Sequence, residues 1–186
     1  MSNTADFTNK RAIRAEMKQK NRALGAEQRN TAADSIFKQV AALPAFQAAK
    51  CVAVFCALPD EPPTTQILQQ WSQSKRIVVP RVEGDLMRFF DYDPQTQQSG
   101  AFGIEEPAEN AQLCPPAEID LIVVPGVAFT ADGKRLGRGR GYYDKYLSQP
   151  EFHASRIGVC YHHQLIDDLP TEPHDIFMEI VVSNRA

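Results

Sequence analysis

Apolar residues recur along this chain in two rhythms. Ile13, Met17 and Leu24 recur at helical spacing, which predicts a helix from Thr8 to Ala23 with Thr8 as its cap and Gly25 as its stop. Lys10, Arg14 and Lys18 recur every four residues and so share another face, by default a solvated one. A second helix is predicted from Ala26 to Ala42, offering Ile36, Phe37 and Val40 to a core before Pro44. Short β-branched runs follow. Cys51 to Leu58 reads as a strand broken by Pro59-Asp60-Glu61-Pro62-Pro63, after which Thr64 can cap a helix beginning at Thr65. Arg76 to Arg81, Met87 to Tyr92, Leu121 to Val124, Arg156 to Tyr161 and Ile176 to Ser183 read as further strands. Strands alternating with helices imply an α/β domain, a three-layer sandwich around a mostly parallel sheet. Residues 93 to 118 read as a long loop, a length that is often functional.

The most informative stretch is Asp120 to Tyr146. Its apolar strand is closed by Pro125-Gly126, and Asp132-Gly133 marks a tight turn. Gly137, Gly139 and Gly141 then alternate with Arg138 and Arg140, ahead of a short helix starting at Tyr142. Alternate glycines permit positive φ and close approach of a ligand to the backbone. The arginines add fork-shaped donors suited to phosphate oxygens. Asp144 stands on the following turn, where a carboxylate can hold a magnesium ion. The spacing is neither that of a Walker A loop nor that of the dinucleotide fingerprint. A solvated, basic Gly/Arg turn is the competing account.

The run Pro125-Gly126-x-x-Phe129, then Gly133-x-Arg135-Leu136-Gly137-x-Gly139-x-Gly141-Tyr142-Tyr143-Asp144, resembles the signature of the 5-formyltetrahydrofolate cyclo-ligase family, also called methenyltetrahydrofolate synthetases. Weaker echoes extend the resemblance over nearly the whole chain: Lys10 and Arg14, Glu61 after the first strand, Pro80-Arg81, Gly103-Ile104-Glu105-Glu106-Pro107, Gln164, and Leu169-Pro170-x-Glu172-x-His174-Asp175. Thr130 and Lys145 depart from it, standing where many relatives have Asp and Arg.

The resemblance implies an isomerase and CoA-transferase-like sandwich and an enzyme that uses ATP and Mg²⁺ to cyclise 5-formyltetrahydrofolate. It assigns ATP to Lys10-Arg11-Ala12-Ile13-Arg14 and to Arg135-Leu136-Gly137-Arg138-Gly139-Arg140-Gly141-Tyr142-Tyr143. It assigns the folate to Cys56, Glu61, Arg138, Gly139, Arg140, Gly141 and Tyr142. Asp144 and Asp175 become the metal ligands, and Arg138, Arg140 and Asp144 the catalytic set.

Composition narrows the picture further. With 186 residues the chain suits one domain, residues 1–186, able to bury its own core. A net charge of −3 argues against a general nucleic-acid binder, although a Gly/Arg loop on a non-catalytic nucleotide- or RNA-binding module is the runner-up reading. A sugar-phosphate enzyme that needs no ATP is a third. The four cysteines, at 51, 56, 114 and 160, form no C-x-x-C pair and read as reduced thiols in a cytoplasm. Cys56 reads as a pocket wall and not a nucleophile. Cys160, His162, His163 and His174 fit no standard zinc spacing. No apolar run approaches membrane-spanning length, and no membrane partner is expected. The partners that the resemblance implies are the folate and ATP, and a monomer is expected.

Overall fold

The computed structural model describes residues 4–99 and 104–185. Its elements in chain order are α1 (Thr4–Ala23), α2 (Ala26–Ala42), α3 (Pro44–Ala48), β1 (Cys51–Val54), α4 (Thr65–Trp71), β2 (Arg76–Glu83), β3 (Leu86–Asp91), β4 (Gln98–Ser99), β5 (Glu105–Glu106), β6 (Leu113–Cys114), β7 (Leu121–Val124), β8 (Ala128–Phe129), β9 (Arg135–Leu136), α5 (Tyr142–Leu147), β10 (Ser155–Cys160) and β11 (Ile180–Ser183). Seven strands form one sheet in the order β11-β10-β7-β1-β2-β3-β6. The first five in that order run parallel, and β3 and β6 close one edge antiparallel. The sheet is therefore mostly parallel, as the alternation of elements predicts.

Period-two alternation splits the core between the sheet's two faces. Val52, Val54, Ile77, Val79, Leu121 and Val123 face Ile36, Phe37 and Val40 of α2, Phe46 of α3, and Leu68 and Trp71 of α4. Ala53, Val78, Ile122 and Val124 face the other way, onto Phe89, Tyr146, Leu147 and Phe152. Helices on both faces cover a sheet whose central strands are buried throughout, which is why those strands read as continuous apolar runs.

Several boundaries differ from the sequence pattern, each for a local reason. The first helix begins at Thr4, so Thr8 lies inside it and is not its cap. Gly25, expected as a stop, also starts α2, its N–H bonded to Gln28 Oε1 at 2.9 Å. Pro44 does more than end α2, because it opens α3 at a first-turn position where its missing N–H costs nothing. β1 stops at Val54, not Leu58: Thr64 Oγ1 takes the N–H of Ala57 and Glu61 Oε2 that of Leu58, leaving neither for a ladder. For the same reason Thr64 occupies the cap position of α4 without capping it. The last strand starts at Ile180, not Ile176, because Asp144 Oδ1 accepts the Ile176 N–H and Gly133 O that of Met178. The 93–118 segment contains three short strands, of which β6 extends the main sheet; Gly103 of its motif lies outside the described residues.

Parallel β1, β7 and β10 point their C-terminal ends toward one rim. Ligands in open α/β sheets bind there, in the loops that follow the strands. Three loops meet at this rim: Phe55–Thr64 after β1, the β8–β9 hairpin with residues 137–141 after β7, and Tyr161–Gln164 after β10. Helix α1 packs beside them through Met17, which joins Val127, Ala128, Leu136 and Leu169 in a small separate core.

Candidate active site

The glycine segment follows the β8–β9 hairpin, whose turn is shaped by Gly133. That residue has φ of 95°, and a Cβ there would come within 2.1 Å of Met178 O. Only glycine fits such a position. Beyond the hairpin, Gly139 and Gly141 have φ of 100° and 71°, so the loop turns sharply into α5, while Gly137 needs no positive φ.

The basic face of α1 is not simply solvated. Lys18 is exposed, but Lys10 is buried, its Nζ 3.0 Å from Glu172 Oε2. Arg14 donates from Nε to Gly137 O at 2.9 Å, with its guanidinium beside Gly139. Two turns further on, Asn21 donates to Asp60 O at 3.0 Å and meets His163 with its side-chain oxygen. The helix thus carries two cations to the rim and is anchored there by an amide. Arg11 and Ala12 point outward, and Ile13 packs against the small core that Met17 enters.

Glu61 is the most buried carboxylate at the rim, with its side chain only 8% exposed. Burial pushes its pKa up, and the Arg138 guanidinium and the Leu58 N–H pull against that shift. Arg138 reaches it from Nη2 at 3.0 Å and contacts Asp60 at 2.7 Å. The arginine therefore bridges the glycine loop to the loop after β1. Arg140 is exposed. Cys56 lines the same loop half-buried, and burial, with lesser contributions from Glu105 and Glu106, pushes its thiol up to about 12. A thiol so protonated is a wall and not a nucleophile.

Arg135 behaves unlike its neighbours. Its side chain is 5% exposed and points inward, donating to Pro125 O at 3.1 Å, with Nη2 3.8 Å from Asp144 Oδ2. Its guanidinium carbon lies 5.3 Å from the centre of the Tyr143 ring. Burial lowers its pKa against the opposing pull of Asp144. Buried in this way, it is the counter-charge beneath Asp144; Leu136 is likewise buried.

Asp144 also ties the loop to the 172–175 segment by accepting the Ile176 N–H at 3.2 Å. Asp175, one residue earlier, accepts from the Glu172 N–H at 2.7 Å. Glu172, His174 and Asp175 each offer a ligand atom within 4.8 Å of the others. Of the two expected metal ligands, Asp175 belongs to this cluster and Asp144 does not, although Asp144 bonds the adjacent Ile176 N–H and carries only a loose ion pair on Oδ2. Hard carboxylate oxygens gathered in this way suit Mg²⁺. Cys160, His162 and His163, by contrast, join no ligand cluster among the described residues.

Sequence reasoning missed Glu172 as a site residue, although it stands inside the matched motif. Lys10 holds its carboxyl below the usual range. The sequence separation between them, 162 residues, hides the pair. Asp60, Asn21 and Gln164 were also invisible in this role. Gln164 is fully buried and donates to both Gly126 O and Val127 O, fixing the chain just before the hairpin.

Comparison with known proteins bears on the family and the fold. The model of the 5-formyltetrahydrofolate cyclo-ligase family matches residues 6–184. The 5-formyltetrahydrofolate cyclo-ligase of Mus musculus is 30% identical over 191 residues, covering 93% of this chain and 92% of its own. That of Haemophilus influenzae is 32% identical over 171 residues, covering 88% and 91%. Among solved structures, the 5,10-methenyltetrahydrofolate synthetase of Aquifex aeolicus superposes with a TM-score of 0.85 at 31% identity, covering 95% of this chain and 90% of that one. The synthetase of Mycoplasma pneumoniae gives a TM-score of 0.77 at 27% identity, covering 95% and 99%. With the signature and the fold in agreement, the chain belongs to the 5-formyltetrahydrofolate cyclo-ligase family.

Proposed function

We propose that this protein uses ATP to close 5-formyltetrahydrofolate to 5,10-methenyltetrahydrofolate, releasing ADP and phosphate. The observation that carries the reading is that Arg14 from α1 donates to Gly137 O while Arg138 ties the same glycine segment to Glu61, with Lys10 on the same helix face held by Glu172. The N5 formyl group is an amide, so its carbon is a poor electrophile and its oxygen a poor leaving group. The formyl oxygen attacks the γ-phosphorus of ATP and ADP departs, leaving an N5-iminium carbon that bears a phosphate ester. N10 adds to that carbon and loses its proton. Phosphate then leaves with its bonding pair, and the delocalised N5–C–N10 amidinium remains.

Such a sequence requires positioning and charge neutralisation more than a protein nucleophile. Lys10 and Arg14, with the exposed Arg140 and the loop amides, supply positive charge for the nucleotide phosphates. Glu61, held by Arg138 and the Leu58 N–H, orients the pterin end of the folate next to Cys56. Asp144 and Asp175 would hold Mg²⁺, which when bound screens the phosphate charge. Arg135, with Nη2 3.8 Å from Asp144 Oδ2, helps hold that carboxylate in place.

The RNA-binding alternative loses ground because Arg138, one of its two loop cations, is already neutralised by Asp60 and Glu61. Among the described residues no helix is long and apolar enough to cross a membrane. The four free cysteines suit a reducing compartment, which favours the cytoplasm. The test mixes protein, Mg²⁺, ATP and 5-formyltetrahydrofolate. A near-ultraviolet band from the amidinium should grow in step with ADP, one per ring closed, and vanish when any component is omitted. A folded sample that leaves ATP intact and produces no band sinks the reading.

A further inference from the structure

A groove lies beside the rim where these residues meet. It has a volume of about 300 Å³ and runs between α5 and the antiparallel edge of the sheet. Tyr142 stands at its mouth, within 3.5 Å of Gly84 O at the β2–β3 turn, and Leu86, Leu113 and Pro116 supply apolar walls. Two of those walls are conspicuous, because Leu86 and Leu113 are 53% and 46% exposed while most large apolar residues here are buried. Among the described residues that line it, Lys145 and Arg88 are the charged ones, and both are cationic. Lys145 makes no ion pair among the described residues, and Arg88 spends one donor on Glu83 at 3.3 Å.

We propose that this groove seats the aminobenzoyl-glutamate arm of the folate substrate; the proposal rests on the function proposed above. Two observations select that occupant. The groove is continuous with the site, since Tyr142 belongs both to its lining and to the end of the glycine segment. Its chemistry is also complementary to the arm. Ring closure joins N5 to N10, and N10 bears the aryl ring, so the ring must lead away from the reacting carbon. Beyond the ring lies an amide-linked glutamate with two carboxylates. A flat apolar ring fits against Leu86, Leu113 and Tyr142, and the carboxylates fall to Lys145 and Arg88. The volume is at the lower end of the roughly 300–1,000 Å³ of ligand pockets, which suits one arm of a ligand and not the whole of it.

The test compares two substrates, 5-formyltetrahydrofolate and 5-formyltetrahydropteroate, which lacks the glutamate. Lys145→Ala and Arg88→Ala should each raise KM for the folate about three- to fivefold, as expected for exposed ion pairs worth up to about 1 kcal/mol. KM for ATP and kcat should stay unchanged. With the pteroate, neither substitution should alter KM. Unchanged folate KM in the double variant overturns the proposal, and so do equal effects on both substrates. Sedimentation of the wild type and Leu113→Asp supplies another arm: a dimer that the substitution dissociates would mean that a second copy fills the groove. If the wild type turns over neither substrate, the function is misassigned, and the groove is then judged by direct titration with p-aminobenzoyl-glutamate. Binding that weakens in the double variant supports the groove even then, and no binding overturns it.

Discussion

Burial at the rim makes single charges decisive. Glu61 sits in a pocket that taxes its ionised form, and Arg138 only partly offsets the cost. Its folded pKa is raised above the ordinary 4.5, so the folded state holds the proton to higher pH than the unfolded chain. Stability from that proton is complete below the ordinary value and is lost as pH rises from there through the folded value. Glu61→Gln cannot titrate. The difference in urea midpoint between wild type and variant should therefore drift in the variant's favour as pH is raised from about 4.5. Parallel curves across that range would show that burial does not raise the Glu61 carboxyl above its ordinary value. The residue type and its place after a strand were legible in the sequence. Its burial and its arginine were not, because Arg138 lies 77 residues away. Lys10 makes the same point more sharply. Its four-residue spacing from Arg14 marked a charged face, yet periodicity carries no record of a carboxylate 162 residues later.

Elements were predicted well wherever backbone pairing alone decides them. The central strands β2 and β7 and helix α2 follow their hydrophobic rhythm closely, as do the six residues of α5. Boundaries failed where side chains capture backbone groups: Thr64 and Glu61 shorten β1, and Asp144 with the Gly133 carbonyl delays β11. These captures lie at the site, so its geometry comes at the cost of regular sheet. The β8–β9 hairpin is the element most tightly bound to this arrangement. Gly133 accepts from Met178 N–H at 2.8 Å while its own Cα faces Met178 O. Gly133→Ala must force both the positive φ and the 2.1 Å contact. A loss of about 3 kcal/mol is expected, combining left-handed strain with overpacking. Chemical denaturation should show it as a lower midpoint with an unchanged slope. An alanine variant as stable as the wild type would mean that the hairpin is not fixed against the last loop as described.

At the scale of the whole molecule, the chain carries a net charge of −3 yet concentrates cations at one rim. Lys10, Arg14, Arg138 and Arg140 come from an N-terminal helix and a late loop, and Glu172 and Asp175 from a still later segment. No single stretch holds the site. The glycine loop alone announced phosphate chemistry, while the fold decides which distant charges accompany it. A nucleotide bound there would tie together segments that span nearly the entire chain, so its binding energy should appear as global stability. At a hundred times Kd, such a ligand contributes about 2.7 kcal/mol. In a chain of this size that corresponds to a rise in melting temperature of roughly 5–10 °C. Lys10→Ala and Arg14→Ala should weaken ATP about ten- to a hundredfold, one charge-assisted contact each, so at the same ATP concentration the rise should shrink to about half or less. Losing Lys10 also strands Glu172, which shifts the melting temperature of the ligand-free protein; the diagnostic quantity is therefore the increment on adding Mg²⁺ and ATP. The increment on adding the folate alone should be nearly unchanged, because Glu61 and the groove beside α5 are untouched. If both variants keep the full ATP increment, α1 does not contact the nucleotide, and its buried lysine serves only to hold the 172–175 segment.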